Sequence, residues 1–131
     1  MSSAESSLRA PLVALAEKNP RIRSFLAREF AARGWRVVLA ADGAALRRAA
    51  QAEPRPDVFV VDTELPFLDE GLRSPDGSAL RPLVLHALLP DAAGNPALAL
   101  AGTVVEKAAD PGALLDAAWS LLPQPRRPEG R

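Results

Sequence analysis

Asp57-Val58-Phe59-Val60-Val61-Asp62 is the stretch whose reading decides the fold. Four consecutive β-branched or aromatic residues lie between two acids, with Pro54 and Pro56 breaking the chain just before them. A strand exposed on one face alternates apolar and polar residues. A strand that is apolar throughout is buried on both faces, which is the situation inside a parallel sheet covered by helices. Leu12 to Ala16 (LVALA) is a short apolar run consistent with a buried strand, and Trp35 to Ala40 (WRVVLA), Pro82 to Ala87 (PLVLHA) and Thr103 to Glu106 (TVVE) read as further strands.

Helical segments alternate with these strands. Asn19-Pro20 is a helix start, because Asn caps free N–H groups and Pro suits the first turn. Ile22, Phe25, Leu26 and Phe30 follow at helical spacing, with Arg21, Arg23, Arg28 and Arg33 between them, and Gly34 is placed to end the helix. Asp42-Gly43 is a turn into a short helix over Ala44 to Glu53. Asp110-Pro111 opens a last helix with Leu114, Leu115, Ala118, Trp119 and Leu122 on one face. Strands alternating with helices predict right-handed crossovers and a flavodoxin-like, doubly wound α/β fold with five parallel strands in the order 2-1-3-4-5. Two crossovers are expected to be shortened or irregular. Gly71 to Arg81 carries Ser74-Pro75-Asp76-Gly77 where a third helix belongs, and Asp91 to Ala101 carries Gly94-Asn95-Pro96 where a fourth belongs.

At 131 residues the chain has the size of one domain. We expect a loose lead-in over residues 1–10, the domain over 11–122, and a Pro/Arg-rich tail or linker over 123–131 that cannot build core. Formal net charge is zero, which argues against a nucleic-acid or membrane surface. There is no cysteine, so disulfides, thiolate metal sites and cysteine nucleophiles are excluded. No apolar run spans a bilayer, and a cytoplasmic location is the expectation.

The only two lysines, Lys18 and Lys107, both fall at strand ends, whereas every other basic residue is arginine. In an open parallel sheet, sites form at the carboxyl ends of strands beside the switch in strand order. With order 2-1-3-4-5, the ends of strands 1, 3 and 5 bring Glu17, Lys18, Asp62 and Lys107 to one crevice.

From Pro11 to Leu122 the pattern resembles the receiver domain of bacterial two-component response regulators. The strongest segment is Pro56 to Pro66, which looks like the family's phosphoacceptor strand, with Asp62 followed by Thr63-Glu64-Leu65-Pro66. Leu12 to Arg23, Ala41-Asp42-Gly43, Ala101-Gly102 and Lys107 also fit in order and spacing. The resemblance implies a Mg²⁺ held by an acidic pair and the phosphoacceptor Asp, a phosphoryl group taken from a histidine kinase, and a strand-5 Lys that pairs with the phosphate. It also implies a switch built from a Thr or Ser ending strand 4 and an aromatic residue on strand 5.

The sequence departs from that pattern at most working positions. The acidic pair aligns with Glu17-Lys18, and a fixed cation at Lys18 opposes a dication. The hydroxyl switch aligns with Ala87 and the aromatic switch with Val104. Ala108 replaces the Pro after the Lys, one extra residue precedes Gly71, and the third helix is eroded. The expectation is therefore a degenerate pseudo-receiver: a signalling domain, not an enzyme, acting by phosphorylation-independent protein–protein interaction. Its pocket is Glu17, Lys18, Asp62, Glu64, Ala87 and Lys107. No cofactor is expected, with Glu17 and Asp62 as the metal ligands if Mg²⁺ binds at all. Lys18 is expected to stand in for the metal by pairing with Asp62, the plainer alternative being a solvated lysine at a helix entry. Partners are a signalling protein or an attached effector domain, with a possible homodimer through the fourth helix, fifth strand and fifth helix face. One rival keeps the fold and makes Asp62 a working phosphoacceptor. Another makes the chain a small flavodoxin-like ligand-binding module or enzyme, although no phosphate-binding loop is present. His86, the only histidine, reads as a core or strand-end residue. Asp57, Asp42, Asp69, Asp76 and Asp110 read as turn and cap residues, and Trp35 and Trp119 as packing against the core.

Overall fold

A computed structural model of the chain describes residues 10–74, 76–88 and 102–123. Five strands, β1 (Leu12–Ala16), β2 (Arg36–Ala40), β3 (Val58–Asp62), β4 (Leu83–Ala87) and β5 (Thr103–Glu106), form one sheet in the order 2-1-3-4-5. Every pairing is parallel. The helices among the described residues are α1 (Pro20–Ala32), α2 (Gly43–Gln51), α3 (Leu68–Gly71) and α4 (Gly112–Ser120). The expected fourth crossover and most of the expected lead-in and tail lie outside the described residues.

Strands β1, β3 and β4 are buried along their whole length, as their unbroken apolar runs require. Alternate residues feed two cores. On one face Phe59, Val61 and Leu85 pack with Leu46 of α2 and with Leu65, Leu72 and Leu80 of the β3–β4 connection. On the other, Val13, Leu15, Val58, Val60 and Val84 pack with Leu26 and Phe30 of α1 and with Leu114, Leu115 and Ala118 of α4. Each fully buried Leu, Val or Phe contributes about 1.5–3 kcal/mol against exposure, so these faces hold the strands in register.

Local chemistry sets the helix boundaries. The Asn19 side chain accepts the Arg21 and Ile22 N–H groups, and Pro20 occupies the first turn of α1. Gly34 follows α1 at φ +92°, a conformation that glycine adopts without Cβ strain. Asp42 caps α2 through the Ala45 N–H at 2.8 Å, so this helix begins at Gly43 rather than Ala44. It ends at Gln51 rather than Glu53, because Pro54 disfavours helical backbone at the residue before it.

The third crossover is as eroded as the sequence suggests. A four-residue α3 is followed by a tight turn in which Asp76 Oδ1 accepts the Ser78 N–H and hydroxyl, closed by a bridge between Arg73 and Ala79. Its start is pinned to α2, since the Gly43 N–H donates to the Pro66 carbonyl at 2.7 Å. A Cβ on Gly43 would stand 1.7 Å from the Phe67 carbonyl oxygen, so only glycine permits this approach. Phe67 itself sits in the left-handed region at φ 59° with its ring exposed.

Two side chains depart from expectation. Trp119 packs against the core through one edge only: α4 turns that position outward, leaving the ring 55% exposed and edge-on against the buried Trp35, 6.2 Å between centroids. Asp57 is more than a turn residue: its carboxylate accepts the Leu12 N–H at 2.8 Å, fastening the start of β3 to the start of β1.

Candidate functional site

The parallel register brings strand ends into line: Ala16 pairs with Ala40 and Val61, Asp62 with His86, and Ala87 with Glu106. The residue after β1 is Glu17, the last of β3 is Asp62, and the residue after β5 is Lys107, so all three emerge at one edge beneath the loops. The Lys107 N–H donates to the Ala87 carbonyl at 2.7 Å, which fixes where its side chain leaves the sheet.

Glu17 and Asp62 are each 1% exposed. The Lys107 ammonium lies 2.9 Å from Asp62 Oδ1 and 3.4 Å from Glu17 Oε1, bridging the two acids. Asp62 has further donors. Its Oδ1 accepts the Glu64 N–H at 2.9 Å and its Oδ2 accepts the Lys18 N–H at 3.2 Å. Burial alone would raise the Asp62 pKa, but the Glu64 N–H, the Lys107 ammonium and the Lys18 N–H outweigh it and hold the carboxyl below its ordinary value. Glu17 shifts the other way. Burial raises its pKa, Asp62 adds to the rise, and the Asn19 N–H and Lys107 oppose it. The Asn19 N–H reaches Glu17 Oε2 at 3.1 Å, while Glu17 Oε1 is buried with no hydrogen-bond partner, touching only the longer ion pair to Lys107.

The expected pairing of Lys18 with Asp62 does not form. The Lys18 ammonium turns outward and meets Glu64 Oε1 at 2.7 Å, with both side chains about half exposed. The physical reason is solvation: the Lys107 ammonium already bridges the buried acids, and Glu64 offers the Lys18 ammonium a carboxylate at the surface that it reaches without being desolvated. Lys18 therefore contributes an amide inside the crevice and a charge outside it. With Glu64 it forms a strap from the β1–α1 loop to the β3–α3 loop. The pocket's internal cation is Lys107.

Ala87 and Val104 occupy the expected switch positions without switching chemistry. Ala87 is 2% exposed and offers only a methyl group, and Val104 packs against the α2-side core. His86 is buried, with its pKa pushed down to about 4 by desolvation and by Lys107, so the ring is neutral at neutral pH. Two participants escaped the sequence reading. Asn19 acts through its backbone, and Arg23 donates from its guanidinium to the Glu17 carbonyl at 2.7 Å, holding the β1–α1 loop. Neither carries a motif, and only the observation that Arg23 lies one turn into α1 beside that loop would have suggested it.

A Mg²⁺ ion requires near-octahedral oxygen ligands at about 2.0–2.1 Å, most often carboxylates and waters. Here two carboxylates face each other across an ammonium group that already touches one oxygen of each. The third family position is Lys18. No group of three or more His, Cys, Asp or Glu residues that could hold a metal ion exists among the described residues. As arranged, these residues do not fit the ion.

No family model matches the chain, and no curated protein matches it. Solved structures do. The response regulator protein TrrA of Thermotoga maritima, in complex with Mg²⁺-BeF, is 17% identical with a TM-score of 0.71, covering 86% of this chain and 99% of that one. The BeF3-activated N-terminal receiver domain of Klebsiella pneumoniae RstA is 24% identical, TM-score 0.69, with the same coverage of 86% and 99%. The chemotaxis response regulator CheY4 of Vibrio cholerae is 23% identical, TM-score 0.70, again over 86% and 99%. The fold of this chain is that of response regulator receiver domains.

Proposed function

We propose that this chain, built on the receiver fold, is a signalling domain that works by protein–protein interaction without being phosphorylated. The observation that carries this reading is the engagement of Asp62 by three donors: the Glu64 amide and the Lys107 ammonium on Oδ1 and the Lys18 amide on Oδ2. A nucleophile must present a free lone pair, and each of these donors lowers the availability of one. Lys18, at the position where the family has an acid, adds a positive charge at the mouth instead of a metal ligand. Ala87 and Val104 supply neither the hydroxyl nor the aromatic ring through which a phosphoryl group would be sensed. The domain is then a fixed surface presented to a signalling partner or an attached effector domain. A homodimer would use the face that includes Val105, Ala109 and the outer side of α4.

The test is treatment with acetyl phosphate and Mg²⁺ followed by intact-mass measurement, beside an amide NMR titration with Mg²⁺ and beryllofluoride. The expected result is an unchanged mass and unmoved resonances at Asp62, Ala87 and Lys107. An acyl phosphate on wild-type Asp62 would overturn the reading. Lys18→Asp, which restores the family's acidic pair, should acquire Mg²⁺-dependent shifts. A second reading, a working phosphoacceptor at Asp62, draws on one observation: Glu17 Oε1 is buried without a hydrogen-bond partner beside an ionised Asp62, so a cation displacing Lys107 would find two oxygens facing it.

A further inference from the structure

Next to the acid crevice lies a separate cleft of about 350 Å³ between α1 and the loop after β5. This is at the lower end of the range for small-molecule sites, about 300–1,000 Å³. One wall is Ile22, Phe25 and Leu26 of α1, and the other is Ala108 and Ala109. Ile22 and Phe25 are each 36% exposed, so this half of the apolar stripe of α1 is not used by the core and faces the cleft. Lys107 lends its stem to the lining while its ammonium is held by Asp62 and Glu17.

Two polar groups stand among these walls. His86 is 6% exposed, and its imidazole makes no hydrogen bond among the described residues. The ring lines the cleft, so its N–H is available to a partner there. Arg21 lies at the rim in the first turn of α1, where the helix dipole also favours an anion, and it forms no ion pair among the described residues. Among the described residues, no acidic side chain lines the cleft.

We propose that this cleft binds a small organic acid, its apolar body against Ile22, Phe25, Leu26, Ala108 and Ala109 and its carboxylate between the Arg21 guanidinium and the His86 N–H. The charge argument selects the occupant. An uncharged apolar ligand would gain nothing from Arg21 or His86, and a phosphate would waste the apolar walls. Because His86 pairs with Asp62 across the β3–β4 register and Lys107 lines both spaces, occupancy would be felt at the acid crevice. This site does not depend on whether Asp62 is phosphorylated.

The test titrates the full chain with octanoate and with benzoate, each beside its uncharged counterpart, 1-octanol and benzyl alcohol, following amide and imidazole resonances by NMR. Saturable shifts shared by Ile22, Phe25, His86, Ala108 and Ala109 are expected with at least one acid and not with its alcohol. Arg21→Ala should weaken that binding about tenfold or more, the usual effect of losing a hydrogen bond to a charged group. Phe25→Ala should weaken it independently. Both residues lie at the surface of α1, and a dispersed spectrum certifies each fold. Four results would overturn the proposal: no saturable shift with either acid, equal response to acid and alcohol, shifts centred elsewhere, or movement of the same resonances on simple concentration of the protein, which would mean that a second copy covers the cleft.

Discussion

Replacing Lys107 by Met removes the cation that bridges two buried carboxylates while keeping most of the stem. At an effective dielectric near 20, a unit charge 2.9 Å from Asp62 and 3.4 Å from Glu17 attracts them by about 6 and about 5 kcal/mol. Most of this offsets the cost of desolvating the three groups, and breaking a buried pair by deleting one partner typically costs about 3–5 kcal/mol. The loss has a ceiling, because Glu17 can take up a proton instead of remaining charged. With an unfolded pKa near 4.3 and about 1.36 kcal/mol per unit, that escape costs about 4 kcal/mol at about pH 7.5 and about 1 kcal/mol at about pH 5.

The sign is set by linkage. Glu17 has a raised folded pKa, so between its unfolded and folded values the native state binds more protons and stability falls as pH rises. Lys107→Met widens that window upward. It also removes one cause of the depressed His86 pKa, which acts in the same direction. Asp62 is held below its ordinary value, so its contribution is intact at pH 5 and is lost only as pH falls through that lower value. Urea unfolding followed by circular dichroism at both pH values should give a deficit of about 3–4 kcal/mol against wild type near pH 7.5, shrinking by about 2 kcal/mol near pH 5. A deficit under about 1 kcal/mol at neutral pH, or one equal at both pH values, would refute the bridge as the pocket's central interaction.

Lys18→Ala removes a strap whose ends are both half exposed, so the thermal midpoint should stay close to wild type and any difference should vanish in about 1 M salt; a large, salt-insensitive loss would show that the ammonium turns inward. Gly43→Ala would drive a methyl group into the Phe67 carbonyl, and should cost about 3 kcal/mol or more in chemical denaturation; a near-neutral result would show that the β3–α3 loop does not rest on α2. His86 should remain neutral down to about pH 5, with an imidazole midpoint at about 4 by carbon-13 NMR, and because the unfolded state binds that proton more readily, its own contribution to stability, opposite in sign to that of Glu17, should decline as pH falls below about 6.5. A midpoint near 6.5 would place the ring in solvent.

The fold was legible because its signals are local and repeated. Unbroken apolar runs at Leu12–Ala16 and Val58–Asp62 state double burial, Asn19-Pro20 and Asp42-Gly43 state helix starts, and Ser74-Pro75-Asp76-Gly77 states that the third crossover cannot be a full helix. The convergence of Glu17, Asp62 and Lys107 was legible too, since strand order and parallel register place strand ends side by side whatever the side chains do. The direction of each side chain beyond that edge was not. Lys18 and Lys107 carry the same group and approach the same acid, yet one ends inside and the other outside. That choice depends on which groups already engage Asp62, and the Lys18 and Glu64 amides that do so leave no trace in residue identity. The outward turn of Trp119 and the reach of Arg23 to the Glu17 carbonyl were likewise set by how packed elements meet, which residue identity does not state. Burial patterns and turn chemistry travel with the sequence, whereas the competition of several donors for one buried carboxylate is settled only when the chain has closed around it.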